Sequence, residues 1–164
     1  MTNSAQERTK PAGLFLAALF LGIAAFQVAA TMLFPALPAI GEALDASPAS
    51  ISQTQAIFYA IGGLTAVSLP LSDRFGRKQM LMAVIVAGLL GSLLIIFSGN
   101  ILLYGVGRCL QAFGVVALPL AFLILKDVIS EEKYPLYLGW LSALNLGATG
   151  VDQAIAGWMV DNVG

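Results

Sequence analysis

Two ionisable side chains lie where a lipid bilayer would leave them no water. Arg108 stands in "NILLYGVGRCLQAFG" and Asp152 in "LSALNLGATGVDQAIAGW", each the lone charge of a long apolar segment. An ionised group at that depth costs at least ~2.5 kcal/mol unless it is paired or wetted. Residues of this kind pair, line water or exchange a proton. At 1.5 Å per helical residue, Arg108 falls about 12 Å from the Asn100 end of its segment, and Asp152 about 15 Å from the Asn162 end of the other. Opposite charges at matched depth predict an Arg108–Asp152 pair or a shared aqueous cavity. The plain form is a structural salt bridge; in the functional form Asp152 takes up and releases a proton while Arg108 tunes the exchange. Gln27, Gln111 and Gln153 add polar groups at membrane depth. One glutamine more often joins helices than binds a ligand, but three could line a polar cavity.

A denser cluster, "LSDRFGRKQ", packs Asp73, Arg74, Arg77 and Lys78 around Gly76, in a chain with only 10% charged residues. Glycine permits a tight reversal there, and the basic residues would hold it at a membrane surface. Anchoring alone leaves Asp73 unexplained, because an acid at the C-terminal end of a helix opposes the helix dipole. Asp127 is a candidate acceptor for Arg77.

The elements that carry these groups follow from where charge is missing. Roughly 31 residues separate Lys10 from Glu42 without a charge, about 27 run from Ala46 to Ser72, and about 29 from Gln79 to Gly107, each longer than the ~20 that span a bilayer. With 59% hydrophobic residues and a mean hydropathy of +0.88, the 164-residue chain has too little polar surface for a soluble domain. The fold class expected is an all-α membrane protein with about five transmembrane helices, at about 12–36, 48–71, 79–98, 100–125 and 135–160, behind a tail at 1–10. Lys10-Pro11, Ser47-Pro48 and Ser130-Glu131-Glu132 mark helix starts, and Gly99-Asn100 a turn. The first apolar run is too long for a signal peptide and lacks its cleavage pattern. With no histidine and one cysteine, Cys109, histidine metal sites, catalytic triads and an intrachain disulfide are excluded.

Basic residues outside the spans all fall on one side of an alternating topology: Arg8 and Lys10, then Arg74, Arg77 and Lys78, then Lys126 and Lys133. By the positive-inside rule that side is cytoplasmic, so the N-terminus is cytoplasmic too. The odd helix count suggests a chain cut short. Ala143, Gly147, Gly150, Ala154 and Gly157 form a small-residue stripe on the fifth span, where another helix could approach closely.

"LPLSDRFGRKQML", Leu69 to Leu81, resembles the loop signature of the major facilitator superfamily, G-x-L-a-D-R-x-G-R-K-x-x-L, which joins the second and third helices. Leu71, Asp73, Arg74, Gly76, Arg77, Lys78 and Leu81 match it, and Leu69 stands where the family has glycine. "RCLQAFG" is similar to the fourth-helix motif R-x-x-Q-G-x-G at Arg108, Gln111 and Gly114, with Ala112 in place of a glycine. Asp127 matches a common family acid. "LPAIGEALDASPASI" resembles the outer end of the first helix in drug:proton antiporters, whereas "DQAIAG" replaces their G-P-x-x-G-G and brings in Asp152 and Gln153.

The resemblance implies one part of a twelve-helix carrier with substrate bound between two six-helix halves. Here the sixth helix and the whole C-terminal half would be missing partners. It implies secondary active transport of a small molecule, proton-coupled efflux, with a proton gradient and no cofactor. The setting would be the plasma membrane or a bacterial inner membrane, with the lipid bilayer and a small-molecule substrate as partners and no nucleic acid. In the family the loop acid pairs with loop arginines and faces a helix of the second half, as one side of a gate latch. The competing readings are a membrane adaptor or binding protein that reuses the fold, and a channel, which would want rings of charge or carbonyls. No nucleophile–base constellation points to an enzyme.

Overall fold

Proline placement explains most of the helix boundaries. The structure, a computed structural model, describes residues 9–163, with side chains from 13 to 162. Of the expected cytoplasmic tail at 1–10, residues 1–8, with Arg8, and the Lys10 side chain lie outside these described residues, while the backbone of 9–10 already belongs to the first helix. Thr9–Thr31 (α1) ends four residues before Pro35. Proline brings no N–H, and its ring crowds the carbonyl four residues earlier. Leu37–Ala43 (α2) then carries Pro38 in its first turn, where no N–H partner is needed. Pro48–Ala66 (α3) opens behind Ser47, whose hydroxyl accepts from the Ser50 amide at 3.1 Å, as the Ser47-Pro48 pattern predicts.

Four residues after α3 stops comes Pro70. A 3₁₀ turn at Leu69–Leu71 and a one-turn helix, Ser72–Phe75 (α4), continue at 45° to α3. The second span, expected to run unbroken to residue 71, is therefore bent. Asp73 falls in the first turn of α4 rather than at the end of the long helix, so the expected conflict with the dipole does not arise. Gly76, at φ 91°, turns the chain into Arg77–Ile96 (α5), a backbone angle that side-chain-bearing residues rarely take. Asn100 caps Ile101–Ala112 (α6) by accepting from the Leu103 amide at 2.9 Å. Ahead of Pro119 the chain tightens into a 3₁₀ turn, Phe113–Val116, before Ala117–Val128 (α7) completes the span. Tyr134–Val163 (α8) is the longest helix.

The chain is an all-α membrane bundle. Three segments, Gly13–Thr31, Arg77–Ile96 and the joined Ile101–Val128, are long and apolar enough to cross a membrane, and α3 with its bent continuation makes a fourth. The fifth expected span, about 135–160, is one continuous helix but less apolar, because Asn145, Thr149, Asp152 and Gln153 interrupt it.

At the centre lies the fourth span. Half of it is buried, against 17% of α1 and of α5. Ala117, Leu120, Ala121 and Leu125 have no exposed surface, and Leu19 and Ile23 of α1, Leu81 and Val84 of α5, and Leu141 of α8 complete the core around them. Hydrocarbon supplies no hydrophobic drive between helices, so close contact must hold them. The closest backbone-to-backbone approach joins α5 and α6: a Cβ on Gly91 would stand 2.6 Å from the Gly107 carbonyl oxygen, and one on Gly107 2.8 Å from that of Gly91. The stripe on α8 is different. Its glycines have nothing within 4 Å, so among the described residues it meets no helix. Gly91→Ala is expected to destabilise the bundle by roughly 1–3 kcal/mol through overpacking, whereas Gly139→Ala, in open space, should leave the melting temperature in detergent unchanged. Equal melting temperatures for the two variants would show that α5 and α6 separate freely.

Candidate functional site

Arg108 projects from α6 toward α3, not toward α8. Its Nε and Nη2 donate to Gln55 Oε1 at 3.1 and 2.5 Å, and its Nη1 donates to Gln111 Oε1 at 2.7 Å. The Phe58 ring lies under the guanidinium, 4.2 Å from centroid to Cζ, where its π face meets positive charge. Gln111 Nε2 donates in turn to Ser92 Oγ at 2.9 Å, and Ser92 to the Gly88 carbonyl at 2.9 Å, so the cluster ties α3, α5 and α6. Arg108 is wholly buried among neutral dipoles and one aromatic face. The Tyr104 hydroxyl and Gln55 Nε2 beside it are buried without partners.

Asp152 belongs to a second site. It projects from α8 onto α1, where its Oδ2 meets the Thr31 hydroxyl. One to two turns away, Gln27 Nε2 donates to Thr149 Oγ1 at 2.9 Å, and Asn145 Nδ2 donates to Gln27 Oε1 at 3.0 Å. These bonds make a polar seam between α1 and α8. Asp152 is 3% exposed, and its Oδ1 has no hydrogen-bond partner. A groove of about 730 Å³ runs alongside, walled by Val28, Met32, Ala143, Gly147 and Val151.

The expected Arg108–Asp152 pair is therefore not formed: among the described residues Arg108 bonds Gln55 and Gln111, and Asp152 meets Thr31. Equal depth was not enough, because α6 packs on α3 and α5 whereas α8 packs on α1. Nor do the three glutamines line one space. Gln27 sits in the α1–α8 seam, Gln111 in the Arg108 cluster, and Gln153 is exposed on α8. Residue-type reasoning missed Gln55, Thr31, Asn145 and Thr149, all uncharged. Gln55 had a usable signal: it lies eight residues past its cap, Ser47, as Arg108 lies eight past Asn100.

The charge cluster forms a third site. Arg77 donates through Nε and Nη2 to Asp73 Oδ1 at 3.2 and 2.9 Å, and through Nη1 to Asp127 Oδ2 at 2.7 Å and the Leu123 carbonyl at 2.9 Å. It thus joins the α4–α5 corner to the end of α7, the contact with Asp127 that the sequence suggested. Both carboxylates are more than half exposed, so water and salt screen each pair. Arg74 and Lys78 are exposed and make no side-chain hydrogen bond or ion pair among the described residues. No three His, Cys, Asp or Glu side chains among the described residues gather as a metal site.

Of the three clusters, the one around Arg108 has most to lose. Gln55→Ala removes two of its hydrogen bonds and is expected to cost roughly 1.5–3 kcal/mol. Gln55→Glu, which offers a charged acceptor, should recover most of that in a thermal melt. A Gln55→Ala variant as stable as the parent would mean that Arg108 reaches water when released.

Comparison with known proteins agrees with the loop and fourth-helix motifs. The profile of the Major Facilitator Superfamily matches residues 19–164. The chain is 36% identical over 151 residues to the uridine/deoxyuridine transporter of Lactococcus lactis subsp. cremoris (strain MG1363), covering 91% of this chain and 32% of that protein. It is 31% identical over 160 residues to the uncharacterized MFS-type transporter YfiU of Bacillus subtilis (strain 168), covering 93% and 28%. It is 28% identical over 151 residues to the MFS-type transporter ppz2 of Metarhizium majus (strain ARSEF 297), covering 88% and 26%. The chain spans about a third or less of the length of these relatives. With helices that cross a membrane several times and a profile match over nearly its whole length, it belongs to the major facilitator superfamily.

Proposed function

We propose that the chain is part of a secondary active transporter that moves a small molecule across a membrane, with proton-coupled efflux as the mode. The observation that carries the coupling is Asp152, an ionisable group buried at membrane depth with one oxygen unpartnered and the other on a single hydroxyl. A carboxyl held this lightly can change protonation without dismantling a salt bridge, which an Arg108 pair would have prevented. Arg108, fully enclosed, has the structural role of joining α3, α5 and α6. The Asp73–Arg77–Asp127 contact serves as one side of a gate latch: it is exposed and weak, so it can break and re-form within a transport cycle. The other side would come from the rest of a complete carrier, and the open small-residue face of α8 is where it would pack. The setting proposed is a plasma or bacterial inner membrane, with the Arg74–Lys78 end cytoplasmic.

A second reading has its own support. The relative named as a uridine/deoxyuridine transporter makes a nucleoside a candidate substrate, and uptake a candidate direction. A non-transporting adaptor on the same fold would need neither a titratable group nor a latch.

The test is flux in proteoliposomes containing the complete carrier, with uridine and with lipophilic drugs, under imposed pH gradients. Asp152→Asn is expected to abolish the dependence on the gradient while leaving downhill exchange. Unchanged dependence would sink the coupling. Arg77→Ala should leave the melting temperature nearly unchanged yet change the exchange rate severalfold. Absence of flux with every substrate would favour the adaptor.

A further inference from the structure

Trp140 and Trp158 stand 18 residues apart on α8, an unbroken helix. At 3.6 residues per turn that is about five whole turns, so the two indoles share one azimuth and lie about 27 Å apart along the axis. Both are largely exposed, at 64% and 62%. Leu144, Val151 and Ile155, also exposed, fall between them, within about 60° of that azimuth at 100° per residue. Gly147 completes the strip.

Polar groups avoid it. Ser142, Asn145, Thr149, Asp152 and Gln153 are the polar residues between the two tryptophans, and each lies at least about 120° round the helix from them. Asn145, Thr149 and Asp152 turn to the seam with α1. Ala143, Gly150, Ala154 and Gly157 lie about 40–100° to the other side. α8 thus has a polar face already engaged, a small-residue face, and a broad apolar face with an indole at each end. The groove of about 730 Å³ lies between that apolar face and Val28 and Met32 of α1, with Trp140, Leu144, Val151 and Ile155 lining it on the α8 side.

The two ends of the apolar face say what covers it. Bilayer hydrocarbon is about 30 Å thick, and tryptophan concentrates at both membrane–water interfaces, its ring at headgroup level and its N–H among polar groups. Contacts between membrane helices are built instead from small residues or from polar side chains that bond across them. This strip offers neither beyond Gly147. We infer that the Trp140–Trp158 face is the lipid face of α8, with one indole at each interface and phospholipid acyl chains filling the groove between α8 and α1. The small-residue face beside it is left for protein. The same placement sets the level of the polar seam: Asp152, six residues from Trp158, lies about 9 Å inside that interface.

A lipid face stands whether the complete protein is a carrier or an adaptor, so its test needs no flux. Single nitroxide labels are attached to the complete protein in phosphatidylcholine vesicles through Trp140→Cys, Val151→Cys, Ala154→Cys or Trp158→Cys, each after Cys109→Ser and removal of any other cysteine. Power-saturation EPR then compares relaxation by oxygen, which concentrates in hydrocarbon, with relaxation by a water-soluble nickel chelate. At Val151→Cys oxygen should act severalfold more strongly than nickel, with the ratio falling toward both tryptophan positions. The Ala154→Cys label should be shielded from both reagents. Ile155→Cys serves in place of Val151→Cys if that variant does not fold. A Val151→Cys label shielded from oxygen, showing a protein cover, or relaxed mainly by nickel, showing a water-filled cavity, overturns the inference. A ratio that stays level out to Trp140 and Trp158 overturns the placement of the indoles. An Ala154→Cys label as open to oxygen as the one at Val151→Cys keeps the lipid face and retires the packing of the rest of a carrier on the small residues.

Discussion

A polar group inside a membrane bundle can be satisfied only by the bundle itself. That constraint organises this chain more than apolar burial does. Lipid is as hydrophobic as leucine, so its many exposed Leu, Val, Ile and Phe side chains carry no stabilising pressure. Positions are fixed instead where dipoles must meet: Arg108 with Gln55 and Gln111 between α3 and α6, and Gln27 with Asn145 and Thr149 between α1 and α8. Each seam uses a different pair of helices, so the bundle is clamped from two sides around the apolar centre of α7.

Closeness adds to these bonds. Gly91 and Gly107 bring two backbones together beside the Arg108 cluster, and Gly62 and Gly114 admit the side chains of Val115 and Phe26. Dispersion between closely apposed atoms is small for each pair and substantial in sum. The α5–α6 hairpin thus forms a firm unit, to which Arg77 attaches the corner below through groups that water can reach.

Much of this was legible in the sequence, and the failures have a common cause. The length of the uncharged runs, the cap at Ser47, the Gly99-Asn100 turn and the Gly76 reversal follow from local chemistry, and the Arg77–Asp127 contact was suggested alongside the family resemblance. The partners of Arg108 and Asp152 do not, because depth along a helix is readable while azimuth is not. Matching depth was sound, since it puts Gln55 level with Arg108; restricting candidates to opposite charges discarded the right answer. The bend at Pro70 was open to the i−4 rule for proline. The stripe on α8, expected to be a surface for close approach, has nothing within 4 Å of its glycines, and the described helices meet elsewhere.

The 3₁₀ turn at Phe113–Val116 has a geometric consequence for the whole central span. An α-helix advances about 100° per residue and a 3₁₀ helix about 120°. Four such residues therefore add about 80° of rotation between what lies before and after them. A uniform α-helix would present one azimuth along its length. In this rod both halves pack on α5, while the upper half, with Arg108, adds α3 and the lower half adds α1 and α8. The span works as a phase shifter, and Pro119 sets the phase.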